Sequence, residues 1–234
     1  MIALIPAAKG SSGFEKNIYP LKGIPLMYWS FELAKRINVD KVFLTTNSSE
    51  WVLRAKDYGI GAILEPSEVT RTPRGDYSYI RNFLQHHSCD YIVLLRPTTP
   101  LRSPEIVNKA IETIKQSDAT SLRSAHGTKE TAFKYFKITN DGYFSGLFPS
   151  NTTTEYWNMP RQTFPRTYHP NGYVDIIKTD VVNGSGRLYG TKILPFLTDD
   201  PHEIETKKDF KEAEWYLGRE KNVIYEHFRN LGEV

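Results

Sequence analysis

Residues 2–17 read IALIPAAKGSSGFEKN: an apolar run from Ile2 to Pro6 that opens into a Gly/Ser-rich turn and closes on Lys16-Asn17. A run without polar alternation is what a strand buried on both faces requires, and such strands belong to parallel sheets. The same sign recurs along the chain. KVFLTT at 41–46, a short stretch at 61–64 and DYIVLL at 90–95 read as further strands.

Between them lie helical stretches. One follows Pro25, with Met27, Phe31 and Ala34 on its apolar face; others run over 50–58 (closed by Gly59), 76–87 and 104–115. Strands alternating with helices of about 10–15 residues make βαβ units. The predicted class is therefore α/β, a Rossmann-like, mostly parallel sheet with helices on both faces. Ligands of such sheets bind beyond the C-terminal strand ends, so loops 7–17, 47–50 and 96–103 are expected to line one cleft.

After Ser121 the rhythm changes. A strand is predicted over 132–138, and 139–170 is rich in Thr, Asn, Pro and aromatics with no period. A connection that long is functional or part of an interface. Strands at 171–177 and 191–197 and a helix over 207–217 complete the reading: one domain, 1–234, with 139–170 as a protruding arm.

Composition narrows the function. A net charge of +3 over 234 residues, with scattered basic residues, demands neither nucleic acid nor an anionic membrane as partner. The single cysteine, Cys89, excludes an internal disulfide or a cysteine metal site and fits a cytoplasmic location. MIALIPAAKG is too short and too poor in basic residues for a secretory leader, and no run reaches membrane-spanning length.

Four segments carry chemistry. The first, Ala7-Ala8-Lys9-Gly10-Ser11-Ser12 running to Lys16-Asn17, offers backbone N–H groups, hydroxyls and two ammoniums, as a polyphosphate needs. It matches neither a Walker loop nor GxGxxG, and the same residues also suit an ordinary βα turn. The second is RPTTPLR, residues 96–102, a stiff platform bearing Thr98, Thr99 and Arg102. The third is Asn171-Gly172, which as a turn signal alone is common. The fourth is HEIETKKDF, residues 202–210. In an extended segment Glu203 and Glu205 point the same way and suit Mg2+, which takes one or two protein carboxylates plus substrate phosphates. The same stretch also reads as an acidic loop capping the next helix, with Thr206 as N-cap and Asp209 at the third position.

Taken together and in order, IPAAKGSSGFEKN, RPTTPLR, Pro160-Arg-Gln-Thr-Phe-Pro165 with Asn171-Gly172, and EIETKKDF resemble the acylneuraminate cytidylyltransferase family, which makes CMP-sialic acid and related CMP-nonulosonic acids, and more distantly the CMP-Kdo synthetases. The resemblance implies the nucleotide-diphospho-sugar transferase type of fold, CTP as nucleotide, an acidic sugar as acceptor, Mg2+ as cofactor, and a homodimer whose 139–170 arm reaches the neighbouring subunit. It further implies that Lys9 and Lys16 act on the phosphates, with Ala7, Ala8, Gly10, Ser11, Ser12, Asn17, Thr98, Thr99 and Arg102 around CTP. Gln162, Tyr168, Asn171 and Asp175 would face the sugar, and Glu203 and Glu205 would hold the metal.

Departures from the family pattern crowd the same region. Ala8 stands for an arginine, Ser12 for a lysine, Glu203 and Glu205 for aspartates, Glu65 for an arginine, and Asp175 for an aromatic residue. They leave two alternatives open: a different anionic acceptor, or a non-catalytic nucleotide-binding protein on the same fold.

Overall fold

In the computed structural model, which describes residues 1–10, 14–66, 75–148 and 155–232, strand β1 (Ile2–Pro6) lies inside a seven-stranded sheet. A short hairpin, β2 (Pro20–Leu21) with β3 (Ile24–Pro25), leads into helix α1 (Leu26–Ala34). There follow β4 (Lys41–Thr46), α2 (Ser49–Asp57), β5 (Gly61–Leu64), α3 (Asp76–His86), β6 (Tyr91–Leu94) and α4 (Pro104–Lys115). The chain continues through β7 (Ser121–Gly127), the hairpin β8 (Phe136–Ile138) and β9 (Phe144–Gly146), β10 (Tyr168–Lys178), α5 (Thr179–Ser185), β11 (Ile193–Leu197), α6 (Lys207–Leu217) and α7 (Val223–Asn230).

The strand order is β11-β7-β10-β6-β1-β4-β5, and β10 alone runs against the rest. The predicted mostly parallel sheet is present, and so are its two covered faces. Successive residues of β1 divide between them: Ala3 and Ile5 pack with Trp29, Ile111 and Phe228 on one face, Ile2 and Leu4 with Ile80 and Phe83 on the other. That is why the run showed no alternation. Among the described residues no helix is long and apolar enough to cross a membrane.

Several boundaries differ from the sequence reading for local reasons. Helix α2 starts at Ser49 because the Ser48 side chain caps it. Pro25 precedes α1 instead of lying in its first turn. The predicted strand over 132–138 is a short 3-10 turn followed by β8. Among the described residues of 139–170 the chain forms β9 and two 3-10 turns before β10 begins at Tyr168, and its aromatics cluster with those just ahead of it: Phe164 stacks on Phe133, and Phe144 and Trp157 meet Phe136.

Strand β10 carries the irregularity that shapes the site. Its register against β7 shifts between Pro170 and Asp175, and Gly172 there has φ +63°. Side chains take up the freed backbone groups. Arg102, 1% exposed, donates to the carbonyls of Tyr173 (2.6 Å), Gly172 (3.1 Å) and Arg96 (2.6 Å), and to Ser30 Oγ (3.3 Å). Asn171 Oδ1 accepts from the Tyr173 N–H at 3.2 Å, and Ser124 Oγ accepts from that of Val174 at 2.9 Å.

Replacing Arg102 with Met is expected to lower stability by about 3 kcal/mol, since each buried carbonyl that loses its donor costs about 1–3 kcal/mol and relief of a buried charge offsets part of that. Arg102→Lys, which lacks the planar fork, recovers less than half. Urea denaturation reads both; a Met variant as stable as the unaltered protein contradicts this account.

Candidate functional site

The C-terminal ends of β1, β4 and β6 open onto a cavity of about 300 Å3. Ala7 and Ala8 leave β1 to form one wall, and the Ala7 N–H donates to the Thr45 carbonyl at 2.9 Å, which carries the strand past its nominal end. Lys16 and Asn17 return from the loop to the same wall, both buried. Asn17 Nδ2 donates to the Ala8 carbonyl at 3.3 Å and so closes the loop on itself. Ser11 and Ser12 lie outside the described residues.

Opposite them stands the 96–98 turn. The Ile204 N–H donates to the Thr98 carbonyl at 2.7 Å, which draws 203–205 alongside, and Thr98 Oγ1 lies 3.5 Å from Glu203 Oε1. Glu203 and Glu205 thereby both line the cavity, as their period-two spacing predicts. Lys16 Nζ bonds Glu205 Oε2 at 2.6 Å. Burial raises the Glu203 pKa, and the negative charge of Glu205 adds to it. The capping reading of this stretch holds as well: Asp209 Oδ2 accepts the Thr206 N–H at 2.7 Å and completes a capping box with Thr206. One segment does both jobs.

Other expected site residues are placed elsewhere. Lys9 is exposed, with its ammonium 3.6 Å from Glu50 and its backbone N–H donating to Asn47 Oδ1 at 2.6 Å; Gly10 beside it is exposed too. The 47–50 segment thus clasps the loop from outside and does not line the cavity. Arg102 holds the β10 bulge, and burial pushes its pKa down to about 9, so it stays charged at neutral pH. Thr99 is fully buried and lies against Gly172. Asn171 is also turned inward, its amide donating to Thr198 Oγ1 at 2.8 Å. Gln162 and Tyr168 come together, but in a separate cavity of about 560 Å3 bounded by Thr128, Arg161 and Phe164.

Asp175 is 1% exposed within the sheet, where Arg96 Nη1 (2.9 Å) and the Tyr189 hydroxyl (2.8 Å) donate to it. Glu65 is likewise buried, accepting from Thr45 Oγ1 at 2.8 Å and Asn82 Nδ2 at 2.6 Å behind the cavity wall. Both carboxylates are thus turned to protein donors and are not part of the cavity lining.

Asp76 and Tyr79, which the sequence reading passed over, line the cavity together with Arg96, which it quoted within the RPTTPLR platform without a role of its own. Arg96 follows directly on the buried run 91–95, the position a parallel sheet aims into its cleft, and that was the available signal. Its guanidinium is bonded by Asp76 as well as Asp175, and the Tyr79 hydroxyl donates to Asp76 at 2.7 Å. Burial works against the Arg96 charge, but the two carboxylates outweigh it and hold its pKa above the ordinary range.

The charged lining is therefore Lys16 and Arg96 against Asp76, Glu203 and Glu205, an excess of one carboxylate. A polyphosphate entering such a cavity needs a cation. Among the described residues no three acidic, His or Cys side chains gather as a complete metal cage. A pair of carboxylates on one face fits Mg2+, which draws its other ligands from phosphate and water.

Residues 2–226 match the model of the family described as Cytidylyltransferase. N-acylneuraminate cytidylyltransferase B of Danio rerio is 32% identical over 239 residues, covering 97% of this chain and 55% of the relative. N-acylneuraminate cytidylyltransferase of Escherichia coli O18:K1:H7 is 25% identical over 249 residues, covering 98% of this chain and 56% of the relative. The chain thus spans about half the length of these relatives. Among solved structures, a CMP:2-keto-3-deoxy-manno-octonic acid synthetase complexed with CTP superposes with a TM-score of 0.68 at 15% identity, covering 94% of this chain and 99% of that one. That likeness shows the nucleotide-diphospho-sugar transferase fold.

Burial raises the Glu65 pKa against the pull of its hydrogen bonds. A raised carboxyl pKa contributes stability that is full in acid and lost as pH climbs through the folded value. Glu65→Gln keeps the shape and removes the ionisation. Its stability relative to the unaltered protein is expected to improve from about pH 4 to about pH 7. Denaturant melts at both pH values check this, and a difference that does not grow speaks against it.

Proposed function

The chain belongs to the cytidylyltransferase family, and from that premise we propose that it transfers CMP from CTP to an acidic sugar of the sialic acid-like, nonulosonic class, releasing pyrophosphate. One observation carries the reading: Lys16, Asn17, Thr98, Glu203 and Glu205, from three distant stretches of sequence, line one cavity at the C-terminal strand ends. The 25–32% identity to N-acylneuraminate cytidylyltransferases over nearly the whole chain supports the acceptor class. A cytoplasmic location accords with the free cysteine.

In the proposed reaction an acceptor hydroxyl oxygen bonds to the α-phosphorus of CTP. The bond from that phosphorus to the bridging oxygen breaks, pyrophosphate leaves with the electron pair, and the hydroxyl proton passes to solvent. Such a displacement depends on positioning and on neutralising the phosphate oxygens. The backbone at Ala7 and Ala8 lies beside the phosphates, and Lys16 exchanges its bond to Glu205 for one to them. Glu203 and Glu205 would hold Mg2+, which offsets phosphate charge and lowers the pKa of a bound hydroxyl. Lys9, being exposed, contributes at most to the approach of CTP.

We also place the 139–170 arm in a homodimer interface. Ile138, Tyr143 and Phe144 on the β8–β9 hairpin are each at least 71% exposed, forming an apolar surface of the kind that a second subunit covers.

Two measurements test the reaction and the interface. Pyrophosphate release from CTP and Mg2+ is expected with at least one nonulosonic acid, and Glu205→Gln or Lys16→Met should each slow it by about 100-fold or more. Tight CTP binding with no release from any such acid refutes the acceptor class. Light scattering should find a dimer that Ile138→Asp with Phe144→Asp converts to monomer; a monomeric unaltered chain refutes the interface.

A further inference from the structure

Arg96 stands at a junction. Strand β6 lies between β1, which bears the nucleotide loop, and β10, so the residue following β6 sits where the two reactants of the proposed transfer must meet. Its guanidinium is shared by two carboxylates from different elements: Asp76 in the first turn of α3, and Asp175 on β10. Behind them Arg123 Nε stands 3.9 Å from Asp175 Oδ1, and its guanidinium lies 4.6 Å from the centre of the Tyr189 ring. Two guanidiniums face two carboxylates, so the cluster as a whole is neutral.

That neutrality decides what the wall can bind. An anionic group brought against it gains little net attraction and still loses hydration. A hydroxyl behaves differently. It can donate to a carboxylate oxygen and accept from a guanidinium N–H at the same time, and both bonds are charge-assisted. Only Asp76 and Arg96 are placed for this, their side chains being 29% and 21% exposed and both lining the cavity; Asp175 at 2% is out of reach. The remaining charges of the cavity are Lys16, Glu203 and Glu205, a separate group in which Lys16 pairs with Glu205 and Glu203 is left over.

We infer that the Asp76–Arg96 pair is the specificity element of the acceptor site, reading a neutral hydroxyl of the acidic sugar and not its carboxylate, with Asp175 as a positioning residue that holds Arg96 in place. The inference rests on the transfer reaction proposed above. It assigns the sugar's carboxylate to the Lys16 and metal side and its polyol to the Arg96 side.

The test uses the whole chain, CTP, Mg2+, and singly deoxygenated analogues of whichever nonulosonic acid gives turnover. The unaltered protein should reject one analogue by about 100-fold or more in kcat/KM, as sites built to bond a hydroxyl do. Asp76→Ala leaves the Arg96–Asp175 bond in place. It should raise the acceptor KM by about 10- to 100-fold, as loss of a charge-assisted bond does, while the CTP KM moves less than about twofold and the analogue is no longer rejected. Asp76→Asn, which retains an acceptor oxygen, should restore part of the discrimination. Equal rejection of the analogue by Asp76→Ala, or an equal rise in the CTP KM, overturns the inference and leaves the reaction standing. Indifference of the unaltered protein to every deoxygenation does the same. No turnover with any acidic sugar overturns the reaction and the inference together.

Discussion

A single buried guanidinium, that of Arg102, sets the geometry on which the cavity depends. Among the described residues it has no carboxylate partner within hydrogen-bond reach; its donors go to three backbone carbonyls and a serine hydroxyl. An arginine so buried is tolerated only where the backbone offers several acceptors at once, and an irregular strand does. The bulge in β10 and the proline-bounded turn after β6 are two irregular backbones facing each other, and Arg102 satisfies both. Fixing them together fixes the turn to which 203–205 attach. Gly172 belongs to the same constraint: at φ +63° a side chain is strained, and its Cβ would crowd Thr99 Oγ1 at 3.3 Å.

From that frame follows a division of charge. The Thr98 carbonyl takes the Ile204 N–H, so Glu203 and Glu205 fall on the cavity side by strand periodicity alone, and Asp209 secures the turn beyond them. The cavity then holds one carboxylate more than its cations. This is a poor arrangement for binding polyphosphate directly and a good one for binding it through a divalent ion. Burial, with the negative charge of Glu205 adding to it, raises the pKa of Glu203. Lys16 relieves Glu205 meanwhile, and a lysine so placed is free to change partners.

How much of this the sequence disclosed depended on whether a residue had one physical reason to be where it is or two. Apolar runs have one. Helices 104–115 and 207–217 match to the residue, because a buried face and a capping signal point the same way, and strands 41–46 and 61–64 match as well. Strand β7, SLRSAHG, escaped notice because two of its buried positions are held by Ser121 and Ser124, small polar residues that suit a loop equally. Polar residues near a predicted site have two reasons. Thr99, Arg102 and Asn171 lie in motifs that resemble a nucleotide or sugar site, yet they serve irregular backbone and packing. Lys9 and Lys16 look equivalent in the sequence and part company in the fold, one against Glu50 outside and one against Glu205 within. Only the three-dimensional arrangement separates such cases.

The departures from the family pattern take on a different meaning once their partners are visible. An aspartate in the middle of a sheet is costly unless a cation accompanies it. Asp175 pairs in register with Arg123 on β7, and on its other side with Leu94 of β6, two residues before Arg96. Cations thus reach it from both neighbouring strands. Glu65 is likewise embraced by Thr45 and Asn82. A site decaying under no constraint would accumulate unpaired charges, because nothing would keep the compensating residues. Here both Glu65 oxygens and Asp175 Oδ2 have donors, and the compensation extends to the cavity surface through Arg96 and Asp76. Such balance is what a site adapted to a particular ligand retains.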